Sequence, residues 1–111
     1  MKFIQTQNRQ EGEADYLFDC PACGCSHGVW VTPHDNGNGA TWQWNGDVNE
    51  PTLFPSLLVK WCKYDREENG EIIESSVKEI VCHSFISAGF ILYQNDCTHE
   101  MAGEVVELPK I

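Results

Sequence analysis

Cysteine and histidine at short spacings are the residues of this chain best able to do chemistry. "CPACG", Cys20 to Gly24, is a C-x-x-C loop followed by glycine. Such a loop lets two thiolates converge on one ion at about 2.3 Å. Cys82 and His83 are adjacent, and Cys97 and His99 lie two apart in "DCTHEMAG", residues 96–103. A structural tetrahedral site needs four ligands, and the knuckle supplies two. Zinc is the favoured ion, because it takes mixed Cys/His sets without redox liability. Redox use of C-x-x-C would want a helix starting at the motif, and no helix is written there.

The second pair of ligands has to come from Cys25, His27, Cys62, Cys82, His83, Cys97 and His99. With Ser87-Ala88-Gly89 as a turn, Ile86 faces Phe90 and Cys82 falls near Gln94, beside Cys97 and His99. Neighbouring strand residues face apart, so only one of Cys82 and His83 ligates. Thiolate suits the knuckle, which gives Cys20, Cys23, Cys82 and His99 as the set, with His83 as the substitute for either later ligand. Cys25 would crowd three thiolates into six residues. His27 reads as simply following the knuckle. Cys62 and Cys97 read as small buried hydrophobes, His34 as a solvated loop residue, and His83 equally well as a satisfied core histidine.

The elements that must position these residues are strands. "DYLFD" (15–19) and "GVWVT" (28–32) flank the knuckle, and "ATWQWNG" (40–46) stops at an Asn-Gly turn. "SLLVKWCKY" (56–64), "SSVKEIVCHSFI" (75–86), "FILYQN" (90–95) and "EVVELP" (104–109) follow, the middle two as a hairpin. Segments 33–39 and 49–56 are loops by composition. The helical candidate is the stretch 96–103: Asp96 or Thr98 caps it, His99 to Ala102 make one turn, and Gly103 supplies the exit. The predicted fold is mainly β, or a small α+β. It is one antiparallel β-rich domain over residues 1–111 with an N-terminal zinc knuckle and one short helical turn near the C-terminus.

Bulk properties narrow the partners. Seven basic against seventeen acidic residues give a net charge of −10, which disfavours binding to phosphate backbones. The charge admits a basic protein partner, and mimicry of nucleic acid by the acidic run 65–74. Neither a membrane span nor an apolar signal core is written in the sequence. A cytoplasmic protein in a reducing compartment is expected, in which disulfides are disfavoured.

Four blocks, "CPxCG", "WxWNGDxxxPTLxPS", "CHSFIxxGxIxY" and "DCTHExAGxxVxLP", run in order from Cys20 to Pro109. In these the chain resembles a family of small phage and prophage proteins of unknown function, often labelled ammonia monooxygenase. That label describes a membrane-embedded copper enzyme, and this sequence shows neither a span nor a copper-like histidine cluster. The resemblance implies a phage-encoded accessory protein in a bacterial host cell. It marks Trp42, Trp44, Asn45, Asp47, Thr52, Ser56, Cys82, His83, Asp96, Thr98 and His99 among the pattern positions. Serine often stands in that family where Cys97 stands here, which turns attention to His99.

Trp42, Trp44, Asn45, Asp47, Thr52 and Ser56 also read as a shallow aromatic-walled pocket with convergent polar groups; turn chemistry, with Asp47 as the cap, explains Asn45 and Gly46 well and Thr52 and Ser56 less well. Catalysis is disfavoured. Glu100 has no second histidine at H-E-x-x-H spacing, and the deaminase order of H-x-E before P-C-x-x-C is reversed. Cys82 and His83 face apart and cannot form a dyad. The expected function is therefore a non-enzymatic zinc-stabilised accessory protein that binds a host or phage protein. The alternatives are a zinc-dependent hydrolase of a nucleotide or other small molecule, with His83, His99, Asp96 and Glu100 as ligands and base, and an acidic nucleic-acid mimic inhibiting a host defence system.

Overall fold

The computed structural model describes residues 1–111 as nine strands in three antiparallel sheets. The first sheet orders β1 (Ile4–Gln5), β2 (Tyr16–Cys20) and β3 (Cys25–Val29). A ribbon follows, formed by β4 (Gln43–Trp44) and β5 (Leu53–Phe54). The largest sheet orders β6 (Leu57–Lys63), β7 (Lys78–Ser87), β8 (Phe90–Tyr93) and β9 (Val105–Glu107). The β-rich expectation holds. No helix is long and apolar enough to cross a membrane.

Alternation in β7 explains how this sheet divides its side chains. Cys82, Ser84 and Ile86 point inward and are buried, while His83 and Phe85 point outward. Ile91 and Tyr93 of β8 continue the inner face. These residues share one core with Phe18 and Val29 of the first sheet, with Phe3, Trp42 and Leu53, and with Leu108 after β9. Phe3 stacks on Phe18 at 5.5 Å between centroids and on Trp44 at 6.0 Å. Two sheets closing on one apolar layer is how a chain of this size buries enough surface to fold.

The β7–β8 hairpin departs by one residue from the expected register. Ser87 pairs with Phe90 and Ile86 with Ile91, so the turn has two central residues, Ala88 and Gly89, with φ of 47° and 83°. Two positive φ angles in succession make a turn of type I′, whose twist matches the flanking strands. Glycine suits the second position because it takes that φ without strain. Past Tyr93 the pairing no longer belongs to β8. The loop from Gln94 to Thr98 takes over, and it bonds to β7 in place of a strand.

The expected helical turn at 99–102 is absent. Ala102 N–H donates to His99 O at 3.4 Å and Glu104 N–H to Met101 O at 3.0 Å; these are tight turns that leave through Gly103 at φ +79°. So short a segment cannot recover the cost of helix nucleation. The one helical element is a 3-10 turn, Glu74–Ser76, at the end of the acidic stretch. Two short strands were not read from the sequence: β1, and β5 between Pro51 and Pro55.

Candidate active site and metal centre

His83 stands on the outward face of β7 opposite Leu58 of β6, and Ser56 immediately precedes β6. His83 Nε2 lies 3.1 Å from Ser56 Oγ. Its other ring nitrogen, Nδ1, lies 3.1 Å from both Oδ1 and Oδ2 of Asp96. An ionised carboxylate can only accept, so Nδ1 carries the hydrogen and donates it to Asp96. That tautomer leaves Nε2 as the acceptor for the Ser56 hydroxyl. A hydroxyl against a base that a carboxylate orients is the arrangement of a serine nucleophile. Ser56 is half-buried, His83 is 28% exposed and Asp96 is 59% exposed, so the group opens to solvent on one side.

Backbone bonding fixes this geometry. Gln94 N–H donates to His83 O at 2.8 Å, and Thr98 N–H donates to Val81 O at 3.1 Å. Val81 N–H in turn donates to Thr98 Oγ1 at 2.9 Å. Between these contacts the buried Cys97 grips the main chain of His83 from both ends. Its thiol donates to His83 O at 3.1 Å and accepts from His83 N–H at 3.3 Å. The loop that carries Asp96 is thus laced to the residue its carboxylate must orient. Trp42 holds the backbone of Ser56, its indole Nε1–H donating to Ser56 O at 3.1 Å.

On the opposite face of β7 lies a second cluster. Cys20, Cys23, His27 and Cys82 offer ligand atoms that all fall within 4.8 Å of one another. Cys20 ends β2 and Cys23 sits in the knuckle. His27 is opposite Phe18 in β3, diagonal to Cys20 across the hairpin. The set fits a metal ion on two observations. Cys20 and Cys82 Sγ are 3.9 Å apart, close to the separation of about 3.8 Å that tetrahedral thiolates at about 2.3 Å from an ion impose. His27 Nε2 is buried without a hydrogen-bond partner, which is costly unless a ligand takes it.

Among the protein groups alone, one thiol of the set ionises readily. Cys20 is pushed down to about 3, first by the hydrogen bond from Cys82 and then by His27 and Tyr93, against its burial. Cys23 is pushed up to about 12 by burial and then by the charge on Cys20. Cys82 is raised strongly by the hydrogen bond it gives to Cys20 and by burial. A divalent cation held by these residues would supply the counter-charge that lets all three thiols ionise. Tyr93 supports the cluster from outside: its O–H lies 3.2 Å from Cys20 Sγ and accepts from Ala22 N–H at 3.1 Å.

These sites place the residues singled out in the sequence. Cys20, Cys23 and Cys82 come together, and the fourth position falls to His27 rather than to His99. His99 stands T-shaped on Tyr93 at 4.6 Å, with its Nδ1 accepting from Met101 N–H at 3.2 Å. His83, named as the substitute ligand, faces away from the cluster and belongs to Ser56 and Asp96. Strand alternation after the knuckle carried the signal for His27, since His27 and Val29 share the buried face of β3.

The aromatic-walled pocket assembles in part: Trp44, Asn45 and Thr52 line one shallow pocket with Gln43, Leu53 and Phe54, and Trp42, Asp47 and Ser56 lie outside it. Asn45 Oδ1 accepts from Asp47 N–H and Thr52 N–H, and Asp47 Oδ1 accepts from Asn49 N–H and Glu50 N–H, so both close a loop. Thr52 Oγ1 accepts from Ala88 N–H at 2.8 Å. Trp42 is buried, and Trp44 packs on Tyr16 at 4.5 Å. Of the six residues, Ser56 is the one that reaches His83.

A sequence profile for the bacterial ubiquitination-like system serine protease (BubE) matches residues 2–93. The chain belongs to this family. No curated protein and no solved structure matches it. Membership in a BubE family described as serine proteases corrects the non-enzymatic reading of the sequence. That reading rejected His83 as the partner of Cys82, correctly in geometry, without weighing a serine 27 residues upstream. The matched range includes Ser56 and His83 and ends before Asp96.

Proposed function

We propose that the chain is a serine hydrolase of peptide or isopeptide bonds in a bacterial ubiquitination-like system. Ser56 is the nucleophile, His83 the general base, and Asp96 the group that orients His83. The bonded line Ser56–His83–Asp96 is the observation that carries the reading. In the first step the Ser56 hydroxyl proton moves to His83 Nε2 as Oγ attacks the scissile carbonyl. His83 returns that proton to the departing amine as the C–N bond breaks, leaving an acyl ester on Ser56. Water, deprotonated by His83, then releases the acid and restores the serine.

The partner is accordingly a protein: a ubiquitin-like modifier or its conjugate. The net charge of −10 favours substrates with a basic surface. Cys20, Cys23, His27 and Cys82 would hold a zinc ion, which would tie the knuckle to β7. Four protein ligands complete a tetrahedron, which supports a structural role over that of a zinc hydrolase. Labelling with a fluorophosphonate followed by peptide mass spectrometry tests the assignment. The label is expected on Ser56 and is expected to vanish in His83→Ala; labelling elsewhere, or unchanged labelling of His83→Ala, rejects it.

A further inference from the structure

Backbone direction along β7 shows which edge of the molecule lies open beside the nucleophile. His83 uses both its N–H and its C=O toward the 94–97 loop, so both groups point away from β6. Residues two apart on a strand share that direction, and Val81 does the same with Thr98. Leu58 and Lys60 stand opposite His83 and Val81. Their pairs are therefore the non-bonded ones of the ladder, and their N–H and C=O groups point out from the β6 edge. The alternation extends to Ser56, whose C=O is capped by Trp42 and whose N–H has no partner. β6 is an outer strand of its sheet, and β3 is an outer strand of the first sheet. A cleft of about 340 Å³ separates them, with Ser26 and Gly28 on one wall, Leu58, Val59 and Lys60 on the other, and Trp42 at the Ser56 end.

We infer that this cleft receives the acyl side of the substrate as an extended strand, hydrogen-bonded antiparallel to β6. The inference rests on the assignment of Ser56 as nucleophile. An open strand edge is a template for an added strand, with main-chain bonds supplying affinity. β6 runs away from Ser56, so a chain antiparallel to it arrives at Ser56 with its carboxyl end. The Ser56 N–H is then free to donate to the carbonyl oxygen under attack, where negative charge develops. The third residue on the acyl side of the scissile bond pairs with Leu58 through two hydrogen bonds, and the fifth pairs with Lys60. The second and fourth residues direct their N–H groups away from β6. The ligand chemistry is a flexible polypeptide tail of at least three residues, read through its backbone.

Acetylated alanine peptides of one to five residues, carried as 4-nitrophenyl esters, test this directly. N-methylation of the third residue removes its one donor and sets a methyl group against the β6 edge, and is expected to lower kcat/KM about tenfold, the upper worth of one neutral hydrogen bond. The same methyl on the second residue is expected to change it by less than about threefold. Lys60→Pro removes an outward N–H and no bond to β7. It is expected to lower kcat/KM for the five-residue ester about fivefold and to melt near the wild-type temperature. Equal penalties at the second and third positions overturn the inference, as do rates independent of length. So does a solution dimer that Lys60→Pro dissociates, because the edge then serves self-association. Fluorophosphonate labelling runs alongside: if Ser56 is labelled and the methyl scan is flat, strand pairing alone falls. If Ser56 is not labelled, the nucleophile assignment falls and takes the cleft with it.

Discussion

Replacing Asp96 by asparagine removes one charge from the Ser56–His83–Asp96 line and little volume. In the wild type the carboxylate accepts the Nδ1 hydrogen of His83 with both oxygens at 3.1 Å. It also stabilises the imidazolium that forms as Ser56 loses its proton. A hydrogen bond to a charged group contributes about 1.5–3 kcal/mol, or roughly 10- to 150-fold in rate. A fully buried triad carboxylate is worth about 10⁴-fold, largely because the amide enforces the wrong tautomer. Here the Asp96 side chain is 59% exposed. An asparagine has room to turn its Oδ1 toward Nδ1 and keep the tautomer, and solvent screens the charge that is lost. Asp96→Asn is therefore expected to lower kcat/KM by about 10- to 100-fold, against complete loss in Ser56→Ala. Steady-state hydrolysis of a peptide 4-nitrophenyl ester measures both. A loss under about twofold would mean that Asp96 does not orient His83. A loss as deep as that of Ser56→Ala would refute the argument from exposure.

Three further outcomes follow from other contacts. Cys97→Val keeps the buried volume but removes both hydrogen bonds to the His83 backbone; it is expected to cost about 1–3 kcal/mol of stability and to lower kcat/KM. Cys97→Ser, which can donate and accept, is expected to restore most of the rate. Elemental analysis should find about one equivalent of zinc in wild-type protein and less than about half in His27→Ala, whereas His99→Ala is expected to keep its metal. Glu107 is held below the usual carboxylate range by the hydrogen bond from Lys2 and then by its charge. Their contact therefore stabilises the fold above the ordinary Glu range and is lost as pH falls through the lowered value. The melting temperatures of wild type and Glu107→Gln should differ at neutral pH and converge in strong acid.

What the sequence disclosed divides by distance along the chain. The knuckle was legible because Cys20, Cys23 and Gly24 act through one local turn. Most strands were legible because alternation is local as well. His27 required the additional step of following alternation past the knuckle to the buried face. The β7–β8 register was missed by one residue, because "SAG" does not announce whether Ser87 ends a strand or opens a turn. The proposed catalytic group was illegible for a different reason. Ser56, His83 and Asp96 lie on separate segments, and no short motif joins them. Only the β6–β7 pairing sets Ser56 beside His83, and only the lacing of the 94–98 loop brings Asp96 to the other nitrogen. Read without that pairing, Ser56 passed for one polar wall of a pocket.

The position of Cys82 next to His83 bears on when the molecule can act. One face of β7 closes against the N-terminal hairpin through Cys20 and Cys82, which are 62 residues apart. The other face assembles the reacting group from segments on both sides of the strand. Neither has a local precursor, so a nascent or half-folded chain holds a serine, a histidine and an aspartate that have not met. On the proposed reading, a hydrolase whose reacting group forms only with these long-range pairings cannot attack its surroundings before it has folded. Under the proposed assignment, reactivity arrives with the pairing of β6, β7 and the 94–98 loop.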